Sequence, residues 1–127
     1  MTAIIRQAGL ATVLSLLASS ATAQDAGAQA GQLLFNNTCR TCHTTQEGDN
    51  RLGPNLHGIV GRKAGSLPNY GYSHAMAESG LTSDEATLDR FIANPDAVVS
   101  GNNMKPYGGL ASPEDRARII AFLKSGG

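Results

Sequence analysis

The chain has 127 residues, room for one domain and no more. Ten basic residues balance ten acidic ones, so the basic stripe of a nucleic-acid binder is missing and nucleic acid is excluded as a partner. Tryptophan is absent and glycine abundant at 15, so side chains alone make a thin core; a chain this small buries only about 60 % of its unfolded surface.

The first element is a leader. Arg6 is the one charge ahead of an apolar run from Ala8 to Leu17, and Ala21-Thr22-Ala23 supplies small residues at both ends of an A-x-A site. That order predicts a secretory signal peptide over residues 1–23, cut after Ala23. The apolar run is well short of the roughly 20 residues that span a bilayer, and no second such run follows. The expectation is a periplasmic protein with no stable membrane insertion. Its single domain occupies residues 24–127, where nine basic residues face ten acidic ones for a formal charge of −1.

Four helices follow, joined by Gly/Pro-rich loops. The first is predicted from about Ala28 to Thr38, with Leu33, Leu34 and Phe35 as core candidates around Gly31. The stretch from Thr44 to Tyr72 holds too many glycines and prolines for regular structure, and loops of this length usually carry function or are disordered. A short helix is expected around Ser73 to Ser79. The next opens on Thr82-Ser83-Asp84-Glu85, which reads as a capping box with Glu85 three residues after Thr82. Leu88, Phe91 and Ile92 give it an apolar face, and Asn94-Pro95 stops it. The last begins at Ser112-Pro113-Glu114-Asp115, with a cap, a first-turn proline and early acids. Ile119, Ile120, Phe122 and Leu123 form its buried face. The fold class is all-α.

Between the first helix and the long loop stands Cys39-Arg40-Thr41-Cys42-His43, a C-x-x-C-H motif that reads as a c-type haem attachment site. Two thiols three positions apart can reach the two vinyl groups of one haem, and the next residue, His43, then faces the iron. Three other readings compete. A disulfide suits an exported chain but leaves His43 unexplained. A structural zinc site normally needs four nitrogen or sulfur ligands, and there is no third cysteine; His57 and His74 fall at no common zinc spacing. A thioredoxin-like pair wants a βαβ setting rather than a preceding helix. Haem accounts for all three motif residues together.

The other face of the iron has four candidates: Met76, Met104, His57 and His74. Met76 falls in a predicted helix, where gap filling is the plainer role. Met104 stands in Ser100-Gly101-Asn102-Asn103-Met104-Lys105-Pro106, a loop with no packing stripe to serve.

These residues together resemble the class I cytochrome c family from Gly31 to Lys124. Gly31-x-x-x-Phe35-x-x-x-Cys39 is similar to its amino-terminal helix, and Gly53-Pro54-Asn55-Leu56-His57-Gly58 with Gly61-Arg62-Lys63-Ala64-Gly65 to its haem-edge loop. Tyr72-Ser73, Thr87-Leu88, Phe91 and Asn94-Pro95 continue the match. Gly101 to Met104 resembles the sixth-ligand loop, and Arg118 to Leu123 the closing helix.

The resemblance implies a cytochrome c fold, about four helices and long loops wrapped around one covalently attached haem c, with iron held by His43 and Met104. It implies that the Pro54 carbonyl accepts the His43 ring N–H. It further implies that Gly31 lets the first and last helices cross with Phe35 against Phe122. Arg62 and Tyr72 would bond a haem propionate, with Asn102 a further candidate. Departures are Ser83 where tryptophan is frequent, Phe91 where tyrosine is frequent, and Pro106-Tyr107 where phenylalanine is usual. Only Lys63, Lys105 and Lys124 remain to stand for a lysine ring.

With both axial positions filled, the expected function is one-electron transfer rather than enzyme catalysis, between exported or membrane-bound redox partners. The rivals are a haem peroxidase or gas sensor, which needs an open sixth site, and a haem subunit of an exported dehydrogenase or oxidase.

Overall fold

A computed structural model describes residues 21–127, with side chains from Ala26 onward. The expected leader, Arg6 and the apolar run included, lies outside the described residues.

The described residues hold five helices: α1 (Ala21–Thr38), α2 (His74–Ala77), α3 (Glu85–Ala93), α4 (Pro95–Val98) and α5 (Pro113–Lys124). Among the described residues there is no strand, only an isolated bridge between Lys63 and Thr82. No described helix is long and apolar enough to cross a membrane.

The first helix starts seven residues ahead of expectation because Ala21 to Ala30 is rich in alanine and glutamine, good helix formers. Its buried stripe is Gly31 and Phe35, with Leu34 packed alongside. Leu33 does not join the core and is 62 % exposed. At about 100° per residue it points some 200° away from both Gly31 and Phe35.

Gly31 is where α1 meets α5. A Cβ there would run into the Arg118 carbonyl and lie 2.9 Å from Phe122 Cβ. Four residues on, the Phe35 and Phe122 rings pack tilted at 48° with centroids 5.4 Å apart. Ile59 of the long loop, Leu88 and Ile92 of α3, and Ile119, Ile120 and Leu123 of α5 complete this core. Arg116 ties α3 to α5, its Nε donating to Asp89 at 2.7 Å and its Nη1 to the Leu110 and Ala111 carbonyls.

The cap of α3 is Asp84 rather than Thr82, its carboxylate accepting the Thr87 N–H at 2.7 Å. Thr82 and Ser83 are held extended: Ser83 N–H donates to the Arg62 carbonyl and Gly61 N–H to the Ser83 carbonyl, both at 2.8 Å. The helix therefore opens only after that pairing ends. Asn94 does double duty, closing α3 and capping α4 through its side chain on Ala97 N–H. Ser112 caps α5 as expected.

Candidate functional site

The chain leaves α1 through a tight turn in which the Cys42 and His43 N–H groups both return to the Cys39 carbonyl, at 3.1 and 3.0 Å. That turn puts the two thiols and the imidazole at one place. His43 is only 8 % exposed. Its Nδ1 lies 2.7 Å from the Pro54 carbonyl, an acceptor, so Nδ1 carries the hydrogen and Nε2 keeps its lone pair.

Gly53 makes that ring position possible. It is tied back by its N–H to the Cys42 carbonyl at 2.8 Å. A Cβ here would come 2.7 Å from His43 Nδ1 and 2.9 Å from Nε2. In the sequence the one signal for this role of Gly53 is the Gly53-Pro54 pair, which sets it directly before the accepting carbonyl. Burial lowers the His43 pKa, the Pro54 bond works against that, and Arg62 lowers it further. The net shift is downward, which favours the neutral ring, the state a metal ligand needs.

Cys39 and Cys42 are free and half-buried. The disulfide reading therefore does not describe this chain. Burial, then neighbouring Cys42, pushes the Cys39 thiol up to about 11. No group of three or more His, Cys, Asp or Glu that could hold a metal ion occurs among the described residues, which leaves the zinc reading without ligands. The donor set instead fits haem iron: one buried neutral imidazole, oriented by a backbone carbonyl, beside two unpaired thiols.

The loop after Pro54 is braced from within. Asn55 is buried, and its backbone and side-chain N–H groups both donate to Asn50 Oδ1 at 2.9 Å. Arg62 donates to the Asn55 carbonyl at 2.8 Å and to the His57 carbonyl at 2.9 Å. The guanidinium thus clamps the segment that follows the His43 acceptor, a role the sequence reading did not assign. A cavity of about 360 Å³ opens beside it, walled by Asn50, Asn55, His57 and the Leu67–Asn69 turn. Tyr72 Oη accepts the Leu67 N–H at 3.4 Å, and Tyr72 opposes the lowering of the Arg62 pKa by burial.

Asn102 is buried, but its amide is already committed. Both amide hydrogens are used, on Asp96 Oδ1 and the Val99 carbonyl, each at 2.9 Å, and its oxygen accepts the Met104 N–H at 2.9 Å. No donor hydrogen remains for an outside carboxylate. The four candidates for the far side of the iron also separate. His57 and His74 are exposed and face Glu47 and Glu78, at 4.0 and 3.0 Å. Met76 is half-buried in α2, and Met104 half-buried in the loop between α4 and α5.

Helices without strands among the described residues, two free thiols and a pinned imidazole beside them define a c-type haem protein. A family model described as cytochrome c oxidase, cbb3-type, subunit III, matches residues 26–123. The chain is 48 % identical to cytochrome c2 iso-1 of Magnetospirillum fulvum over 90 residues, covering 70 % of this chain and 91 % of that one. It is 46 % identical to cytochrome c2 of Rhodomicrobium vannielii over 119 residues, 90 % of this chain and 91 % of the relative. Cytochrome cH from Methylobacterium extorquens superposes with a TM-score of 0.71 at 39 % identity, over 77 % of this chain and 97 % of that structure. The chain belongs to the class I cytochrome c family. Its cofactor is covalently bound haem c, and it serves haem-based electron transfer.

Proposed function

We propose that this chain is a periplasmic one-electron carrier, exported by a leader cut after Ala23, with haem joined to Cys39 and Cys42 and iron held between His43 and Met104. The observation that carries the reading is the His43–Pro54 contact at 2.7 Å. It holds a buried imidazole in one tautomer with Nε2 free, beside two thiols that have no other partner. Haem supplies the one-electron couple; the protein supplies ligands, burial and hydrogen bonds that set its potential.

Met104 is the sixth ligand in this reading. The two spare histidines are exposed beside Glu47 and Glu78, and Met76 sits half-buried within the short helix α2. A filled sixth position leaves no site for substrate or gas, so the chain is a carrier and not a peroxidase or sensor. Arg62 lines the cavity and Tyr72 bonds Leu67 on its wall, and these two are the proposed partners of a propionate. The test of attachment is mass spectrometry after denaturation. One haem should stay on the mature chain, and a mass equal to the bare polypeptide, from a host able to attach haem, would end the assignment.

A second reading is favoured by the description of the matching family model, which names an oxidase subunit. The same domain could travel as the haem subunit of an exported dehydrogenase or oxidase. Purification from membranes and periplasm decides between them. A free carrier elutes alone in the periplasmic fraction, and a subunit stays with a larger enzyme in fixed proportion.

A further inference from the structure

The loop that bears Met104 is suspended between two anchors. Downstream, the Tyr107 hydroxyl and the Leu110 N–H both donate to the Ile92 carbonyl at the end of α3, at 2.6 and 3.0 Å. Upstream the anchor is a side chain. Asp96, on α4, accepts from the buried Asn102 amide through Oδ1 and from Lys105 Nζ through Oδ2. Asn102 in turn takes the Met104 N–H on its oxygen. One carboxylate therefore grips the residues on both sides of Met104, and a chain of two hydrogen bonds runs from it to the Met104 backbone.

We infer that Asp96 is a positioning residue that keeps the Met104 sulfur on the iron. The inference rests on the reading of Met104 as sixth ligand. The two arms of the grip are unequal. The Lys105 pair is exposed at both ends, 59 % and 57 %, where ion pairs are weak and screened. The Asn102 arm reaches a buried amide that has no spare acceptor, and an unpaired buried donor is expensive. Removing the carboxylate leaves the Asn102 amide held by the Val99 carbonyl alone, and so loosens the only side-chain acceptor of the Met104 N–H.

Cyanide binding to ferric holo-protein reads this directly, because cyanide reaches iron only when the sixth ligand has left. Asp96→Ala should raise the cyanide association rate at least about tenfold, equivalent to ~1.4 kcal/mol in the loop-opening equilibrium. Asp96→Asn keeps an oxygen for Asn102 and should stay within about threefold of wild type, as should Lys105→Gln, which removes only the exposed arm. Hydrogen exchange at the Met104 amide gives a readout that does not involve the iron, and it should speed up in Asp96→Ala alone. A lower melting temperature with unchanged cyanide and exchange rates would overturn the inference, making Asp96 merely structural. An equal acceleration in Lys105→Gln would also overturn it, by moving the effect to surface charge. Met104→Ala is the companion control. If it keeps the methionine–iron band, the ligand reading has failed, whereas loss of the band with a wild-type cyanide rate in Asp96→Ala fails the positioning role alone.

Discussion

At the scale of single residues, the site depends on what surrounds His43 as much as on His43 itself. Gly53→Ala puts a methyl against the imidazole, with Cβ contacts to Nδ1 and Nε2 inside van der Waals distance. Overpacking of this kind costs about 1–3 kcal/mol. The variant should melt lower and take up less haem during maturation; equal yield and melting temperature would show that the ring has slack. Arg62 acts twice, through the Asn55 and His57 carbonyls and through its charge. Arg62→Ala should lower the melting temperature, since two carbonyls lose a charged donor at about 1–3 kcal/mol. It should also lower the reduction potential, because removing a positive charge favours the ferric state. An unchanged potential and melting temperature would make Arg62 a surface charge without consequence.

At the scale of elements, the crossing of α1 and α5 turns on Gly31. In a free helix, alanine is better than glycine by about 1 kcal/mol. Here the added methyl meets the Arg118 carbonyl and Phe122 Cβ, so Gly31→Ala should instead destabilise, by about 1–3 kcal/mol in chemical unfolding. A stabilised variant would mean that the helices can part. That crossing was expected only from the family resemblance at Gly31, Phe35 and Phe122, since spacing marks the apolar faces but not which helices meet; the Ser112-Pro113 start of α5 was legible from its capping residues. The misses have local causes. At four residues α4 is too short to show a period, and its only signal was the cap-and-proline pair Asn94-Pro95. Thr82 looked like a cap until the bridge to Lys63 held it extended, which is a tertiary fact. The commitment of Asn102 to Asp96, Val99 and Met104 was equally invisible, because an asparagine in a Gly/Asn loop has many partners in reach and sequence does not rank them.

At the scale of the whole molecule, residues 24–127 are nearly neutral and hold three lysines. Recognition of a redox partner should therefore use apolar contact around the haem edge, in the small, weak encounters typical of electron transfer. Electrostatic steering makes association rates fall steeply with salt. The expected salt dependence is shallow, and a steep one would reveal a local charge patch that the net balance hides. The central claim is that iron is closed on both faces, by His43 and by Met104. The most direct measurement is the far-red absorption of ferric holo-protein, wild type against Met104→Ala. Wild type should show the weak methionine–iron charge-transfer band and ignore carbon monoxide when reduced, while Met104→Ala should lose the band and bind carbon monoxide. A wild-type protein without the band, or one that binds carbon monoxide readily in the ferrous state, would contradict the account.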